Sequence, residues 1–389
     1  MLSDMIVSRT IGKKLKELLK KFPIVTITGC RQCGKSTLLK HLLPNYTYVS
    51  LEDIDMRKLA QDDPRHFLSV YNKNVIIDEI QRVPNLLSYI QTLVDSRSEC
   101  GIFVLTGSHN FLLMQSVSQS LAGRTALLTL APFSVRELKK SSILPRSINE
   151  LLFIGAYPRI YDKKINPTDF YPSYVQTYIE RDVRLLKNIT DLSAFTRFLK
   201  LCAGRCSQIL NITALADDAG INRKTAESWL SILETSYIVY LLKPYYKNFG
   251  KRIIKNPKLY FYDTGLVASL LGISDSMQLE TFYMRGALFE NFIVSELLKR
   301  RLFVGKTDEL YYWRDSNGNE IDVLEENDAS LYAYEIKASE TLNTAFFASI
   351  KKIKDSAGIN SKNTFIIYGG DKNIPSSEFS GGYISWKNL

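Results

Sequence analysis

The sequence predicts an α/β chain of several domains, and three observations carry that prediction. A glycine-rich loop stands between an apolar strand pattern and a helical pattern over residues 22–43. Short apolar runs recur at 46–51, 75–79 and 101–105, which is the texture of a parallel sheet with crossover segments between its strands. From Pro132 the pattern turns helical and aromatic-rich, and towards the C-terminus a pair of strands with period-two alternation follows. A length of 389 residues exceeds what one core usually holds, and 45% apolar residues are enough for several cores.

The first element is the strand Ile24-Val25-Thr26-Ile27, which runs directly into Gly29-Cys30-Arg31-Gln32-Cys33-Gly34-Lys35-Ser36-Thr37, a complete Walker A. Gly29 and Gly34 let the backbone curl so that its N–H groups face phosphate oxygens. Lys35 supplies a cation, Ser36 a hydroxyl for Mg2+, and a helix from Lys35 to Leu43 its positive dipole end. Val75-Ile76-Ile77-Asp78-Glu79 reads as the partner Walker B, with Asp78 in the magnesium shell and Glu79 polarising the attacking water. The run 101–105 leads to Thr106-Gly107-Ser108, where Ser108 is the candidate sensor of the γ-phosphate. With the run 46–51 also in the sheet, one strand is expected between the two motif strands. This arrangement is similar to that of AAA+ and related ATPases and implies ATP and Mg2+ as cofactors. Arg124, after Leu121-Ala122-Gly123, resembles the arginine such families supply to a nucleotide in cis or in trans, the latter requiring neighbouring copies of the chain.

Composition narrows the partners. No apolar run approaches the ~18 residues of a membrane span, and Met1–Lys21 reads as a lysine-rich helix, so a cytoplasmic protein without a membrane partner is expected. Cys30, Cys33, Cys100, Cys202 and Cys206 are odd in number and scattered, which predicts reduced thiols. The C-x-x-C spacing of Cys30 and Cys33 falls at variable positions of the phosphate loop and reads as chance, not as a redox or zinc motif. A formal charge of +10 favours polyanions, with nucleic acid first and DNA ahead of RNA.

Residues 132–191 read as a helical lid in which the charged segment around Arg181 is a solvated face. Residues 192–270 read as a winged helix. A helix carries Phe195, Phe198, Leu199 and Cys202 inward, a capped helix from Thr213 ends at Gly220, and a second helix from Arg223 to Glu234 buries Ala226, Trp229, Leu230 and Leu233. Its outward face offers Arg223 and Lys224 to nucleic acid. The wing then brings Lys243, Lys247, Lys251, Arg252, Lys255 and Lys258 with Tyr245, Tyr246 and Phe249 interleaved, cations for phosphates and rings for bases.

The last part, 271–389, carries Asn319-Glu320-Ile321-Asp322 and Tyr334-Glu335-Ile336-Lys337. A hairpin centred between Asp328 and Ala329 sets Asp322 opposite Glu335 with Lys337 on the same face, while Ile321, Val323, Ile336 and Ala338 point to a core. Such a trio, with Glu290 from the preceding helical segment, has the chemistry to hold a divalent cation for phosphodiester cleavage. The competing reading is a hairpin with cross-strand ion pairs, Glu320 lying opposite Lys337.

The Walker pair, the phrase Pro257-Lys258-Leu259-Tyr260-Phe261-Tyr262-Asp263-Thr264-Gly265, and Trp313-Arg314 ahead of the two acidic strands resemble a prokaryotic AAA+-type ATPase family with a C-terminal domain of unknown function. The resemblance covers nearly the whole chain. It implies a domain order of ATPase (1–131), lid (132–191), winged helix (192–270) and a small α/β domain (271–389) similar to the PD-(D/E)XK nuclease fold, whose pattern falls on Glu290, Asp322, Glu335 and Lys337. Three functions follow: an ATPase that cuts nucleic acid, a nucleotide-driven switch that binds DNA or a partner without cutting, and a docking protein.

Overall fold

Apolar and β-branched runs build the first sheet. In the computed structural model, which describes residues 6–107, 120–179, 191–245, 256–306, 310–315, 318–327, 330–347, 351, 363–376 and 381–389, these runs are β1 (Ile24–Thr28), β2 (Thr47–Ser50), β3 (Val75–Asp78), β4 (Phe103–Thr106) and β5 (Thr125–Thr129). They pair in parallel in the order β2-β3-β4-β1-β5. The strand between the two motif strands is therefore β4, and the run at 46–51 becomes β2 on the outer flank of β3. Every residue of β1, β3 and β4 is buried, as parallel strands covered on both faces require. The helices of this unit are α1 (Gly12–Leu18), α2 (Lys35–Leu42), α3 (Ile54–Asp62), α4 (Pro64–Val70) and α5 (Leu86–Asp95). Asp53 caps α3 by accepting the Asp55 and Met56 amides, and Asp63 with Pro64 starts α4. Phe67, Ile77, Leu87, Ile90 and Leu105 pack in the core between helices and sheet. This unit comprises Met1–Phe133 with Thr235–Tyr237 and Arg300–Thr307.

The second unit comprises Ser134–Glu234, Ile238–Lys299 and Asp308–Leu389. It opens with α6 (Val135–Lys140) and α7 (Ile148–Ile154), each started by a reciprocal capping box, Ser134 with Glu137 and Ser147 with Glu150. Prolines start α8 (Pro158–Lys163) and α9 (Pro167–Tyr174), and Tyr157, Phe170, Tyr171 and Tyr174 form an aromatic cluster beneath them. Next come α10 (Leu192–Ala203), β6 (Gln208–Ile209), α11 (Ile212–Ala219), α12 (Arg223–Thr235), β7 (Val239–Pro244) and β8 (Lys258–Phe261). Asn211 caps α11, and Gly220 turns the chain in the left-handed region, φ +69°. Trp229 of α12 packs edge-on against Phe195 and Phe198, its ring centroid 5.3 and 5.5 Å from theirs.

The remaining elements are α13 (Thr264–Leu270), α14 (Arg285–Leu302), β9 (Leu310–Arg314), β10 (Glu320–Asn327), β11 (Ser330–Lys337), β12 (Thr364–Tyr368) and β13 (Tyr383–Ser385). One sheet runs across the expected boundary at 270/271. β7 pairs in parallel with β9, Lys243 opposite Tyr311 and Pro244 opposite Tyr312, giving one eight-stranded sheet ordered β13-β12-β11-β10-β9-β7-β8-β6. Without β9 the flank of β7 would be an open edge, and pairing satisfies its backbone groups. Tyr245, expected to face nucleic acid, is instead buried against Tyr311 and donates its hydroxyl to Glu326.

Candidate functional site

The loop after β1 bends through backbone angles that few side chains tolerate. Gly29 sits at φ +142°, where a Cβ would fall 2.0 Å from the Leu130 carbonyl oxygen, and Gly34 opens α2 at φ +92°. Lys35 is buried, its Nζ donating to the Gly29 and Cys30 carbonyls, each at 2.9 Å. Ser36 Oγ donates to Asp78 Oδ2 at 2.9 Å, so the two predicted magnesium-shell residues already touch, one from the first turn of α2 and one from the end of β3. Gly29, Gly34, Lys35, Ser36 and Asp78 are thus brought together, and Thr37 lies exposed in the first turn of α2. Ser108 lies outside the described residues.

Two neighbours of Asp78 escaped the sequence reading. The Tyr48 hydroxyl donates to Asp78 Oδ2, and Thr106 Oγ1 donates to Asp78 Oδ1. Burial, reinforced by Asp78, raises the Tyr48 phenol above its ordinary range and keeps it a donor. The available signal was positional: both residues end or approach the ends of apolar strands flanking β3, where polar atoms gather in a parallel sheet. Glu79 follows in the left-handed region, φ +58°, its amide bonded to Thr106 Oγ1 at 3.3 Å and its carboxylate accepting from Gln81 Nε2. Cys30 and Cys33 are buried, reduced thiols. Burial opposes ionisation of Cys33, yet the Cys30 thiol, Lys35 and Arg9 outweigh it and bring its pKa down to about 6.

Arg124 requires correction as an arginine finger for its own nucleotide. It precedes β5, and its carbonyl accepts the Ile24 amide at the start of β1, so the whole of β1 separates it from the Walker loop. Its guanidinium is engaged with Asp95, Nη2 to Oδ2 at 2.8 Å.

In the second unit the hairpin register runs from Asn327 opposite Ser330 to Val323 opposite Tyr334, which brings Asp322 alongside Glu335. Ile321, Val323 and Ile336 are buried, and the pairing of β10 with β9 shifts register between Ile321 and Leu324. The ion pairs differ from those expected: Lys337 Nζ binds Glu335 Oε1 of its own strand at 2.6 Å, whereas Glu320 pairs with Arg314 at 3.1 Å and with Lys258 at 2.5 Å. Lys258 is the main surprise. Assigned above to an exposed wing, it is 3% exposed and also bonds Glu290 Oε1 at 3.0 Å, which Tyr260 contacts at 2.6 Å. The apolar residues around it in β8 and its pairing with β7 turn it inward, which a run of lysines in sequence does not reveal.

Burial, then the Asp322 charge, pushes Glu290 up to about 7 and Glu335 up to about 8, and burial also raises Asp322. Lys258 and Lys337 move upward as well, because the surrounding carboxylates outweigh the cost of burying their charge. Asp322 Oδ2 accepts the Ile336 amide at 2.8 Å, and Glu335 Oε2 is buried with no hydrogen bond. Among the described residues no group of three or more His, Cys, Asp or Glu side chains is arranged to hold a metal ion. Glu290 and Glu320 share the Lys258 ammonium.

On the expected nucleic-acid face, Lys224 is exposed and Arg223 pairs with Glu227 at 2.8 Å, one turn along α12. Lys247, Lys251, Arg252 and Lys255, with Arg181 of the lid, lie outside the described residues. No described helix is long and apolar enough to cross a membrane.

Comparison with known proteins divides the chain in three. An AAA domain matches residues 21–139, a domain of unknown function (DUF8612) residues 145–277, and a second (DUF4143) residues 285–387. Solved structures with a similar trace include the Walker-type ATPase paby2304 of Pyrococcus abyssi, at 14% identity and TM-score 0.46 over 68% of this chain and 96% of that one. AMPPCP-bound DnaA of Aquifex aeolicus is similar at 18% identity and TM-score 0.30 over 58% of this chain and 85% of that one. Two uncharacterized mycobacterial proteins, Rv2008c of Mycobacterium tuberculosis and Mb2031c of Mycobacterium bovis, are each 30% identical over 381 residues, spanning 96% of this chain and 82% of theirs. The chain belongs to the family of these two proteins, and its first part is a P-loop AAA-type ATPase domain.

Proposed function

We propose that the chain binds Mg·ATP at its Walker motifs, hydrolyses it, and uses the cycle to change how its second unit holds nucleic acid, DNA first, without cutting it. The observation that carries the proposal is the 2.9 Å contact of Ser36 with Asp78 beside the buried Lys35. This donor set fits the cofactor: a hydroxyl and a carboxylate meet, and the adjacent ammonium is held by carbonyls of the same loop. Ser36 and Asp78 would hold magnesium there, and it would neutralise charge developing in phosphoryl transfer. Lys35 exchanges the Gly29 and Cys30 carbonyls for phosphate oxygens, Ser36 and Asp78 hold the magnesium, and Tyr48 and Thr106 keep the Asp78 carboxylate oriented. Glu79 takes the proton of the attacking water. Arg124 has no part in the proposal.

The nucleic-acid half rests on the formal charge of +10, on the tight α11–α12 turn at Gly220 that suits a winged helix, and on the exposed Lys224, with the wing cations as sequence-based contacts. The carboxylates of the second unit do not fit a divalent metal as they stand, and no cleavage step is assigned to them.

The test measures fluorescent-ATP binding, phosphate release and labelled-DNA affinity on one preparation. Lys35→Ala is expected to abolish nucleotide binding, and ATP is expected to change DNA affinity in wild type alone. Unchanged turnover in Lys35→Ala would sink the ATPase assignment. Metal-dependent DNA cleavage lost in Asp322→Ala would replace the switch with a nuclease.

A further inference from the structure

The carboxylate cluster of the second unit follows the residue pattern of a divalent-metal site, yet its centre is arranged around a lysine. Glu290 from α14 and Glu320 from β10 converge on the Lys258 ammonium at 3.0 and 2.5 Å, and the Lys258 side chain is 4% exposed. β8 supplies a second contact two residues on, where the Tyr260 hydroxyl donates to Glu290 Oε1 at 2.6 Å. Two residues apart on one strand, Lys258 and Tyr260 share a face, so β8 presents a cation and a donor to the same carboxylate. Lys258 Nζ also lies 5.7 Å from the centroid of the Tyr312 ring, within range of a cation–π contact. A strand carrying nothing else charged, in the same sheet as β10, places one ammonium between the two carboxylates.

A buried ammonium persists only where paired charge offsets its desolvation, and buried carboxylates make the same demand in reverse. Four acids, Glu290, Glu320, Asp322 and Glu335, surround two lysines, Lys258 and Lys337, in this cluster. Divalent metals serve carboxylate clusters by this same neutralisation, with oxygen ligands gathered around the ion.

We propose that the Lys258 ammonium is the resident cation of the cluster and occupies the role its pattern would give a divalent metal, so that the folded protein needs no metal there. Glu335 Oε2, buried and without a hydrogen bond, marks where the cluster has capacity left for a cation once Lys258 is removed. The site is also shared between two sequence domains, because Lys258 belongs to the segment matched by DUF8612 and the carboxylates to that matched by DUF4143.

The experiment is thermal unfolding and Mn2+ titration of the full chain without nucleotide, in EDTA and in excess Mn2+. Wild type and Lys258→Arg, which keeps the charge, are expected to melt at the same temperature in both conditions. Lys258→Met is expected to melt lower in EDTA, to recover in Mn2+, and to bind Mn2+ at least about tenfold more tightly than wild type, a difference of about 1.4 kcal/mol. Should Lys258→Met fail to fold, Lys258→Met with Glu320→Gln removes the charge pair together and is expected to fold in EDTA. Mn2+ binding by wild type that disappears in Glu335→Gln would overturn the proposal, as would a Lys258→Met protein that melts like wild type and gains no Mn2+ affinity. Neither result touches the ATPase assignment, which is read from Lys35→Ala.

Discussion

Replacing Gly29 by Ala tests whether the Walker loop is built as described. At φ +142° an alanine is in a region reserved for glycine, which costs about 1–3 kcal/mol. Its Cβ would also meet the Leu130 carbonyl oxygen at 2.0 Å, and that carbonyl is backbone, tied into the sheet through the Leu130 amide bonded to the Thr28 carbonyl at 2.9 Å. Relieving the overlap means displacing β5 from β1, an overpacking cost of about 1–3 kcal/mol more. The total of about 2–6 kcal/mol is a large share of a domain stability of about 5–15 kcal/mol. Urea unfolding separates the units, because all three tryptophans, Trp229, Trp313 and Trp386, lie in the second one. Far-UV circular dichroism of Gly29→Ala is expected to show an early transition while tryptophan fluorescence shifts less, and ATP binding is expected to be lost. Gly34→Ala, in the milder left-handed region, is expected to cost about 1–2 kcal/mol. A Gly29→Ala protein within about 1 kcal/mol of wild type would refute the loop geometry.

Glu79→Gln keeps the shape of the side chain that accepts from Gln81 but loses the base, so phosphate release is expected to fall by about 10²–10⁴ with ATP binding retained; wild-type turnover would remove Glu79 from the mechanism. In EDTA the second unit is expected to lose stability as pH rises from about 5 to about 8, since Glu290 and Glu335, raised to about 7 and about 8, bind protons more tightly folded than unfolded. That contribution is complete below the ordinary carboxylate range and disappears through the raised values, and tryptophan-monitored unfolding that grows more difficult with pH would contradict it. Neutralising Lys251, Arg252 and Lys255 together is expected to flatten the salt dependence of DNA affinity by a slope of roughly 2.7, and an unchanged slope would move the contact elsewhere.

The Walker loop and the hairpin were legible because each is written locally. A strand, two glycines and a lysine in nine residues leave few alternatives, and period-two alternation sets the register of Asp322 against Glu335 once the turn is placed. Tyr48, Thr106 and Lys258 were not legible, for a shared reason: their roles arise where strands distant in sequence become neighbours. Tyr48 reaches Asp78 because β2 flanks β3, and Lys258 turns inward because β8 is covered. Arg124 differs: as a finger for its own nucleotide it was misplaced, because the parallel pairing of β5 with β1 sets it at the end of the sheet opposite the Walker loop.

The β7–β9 pairing limits what can be learned by dissecting the gene. A fragment beginning near residue 285 would carry the acids and still be an incomplete protein, with the β9 flank exposed as an adhesive edge and Glu290 and Glu320 deprived of the lysine that offsets them. Its insolubility or thirst for metal would describe the cut. By the same logic, exchanging C-terminal segments between relatives carries a compatibility condition: the incoming acids must meet a lysine and a tyrosine on the resident β8, so the unit that carries this chemistry is larger than one matched domain.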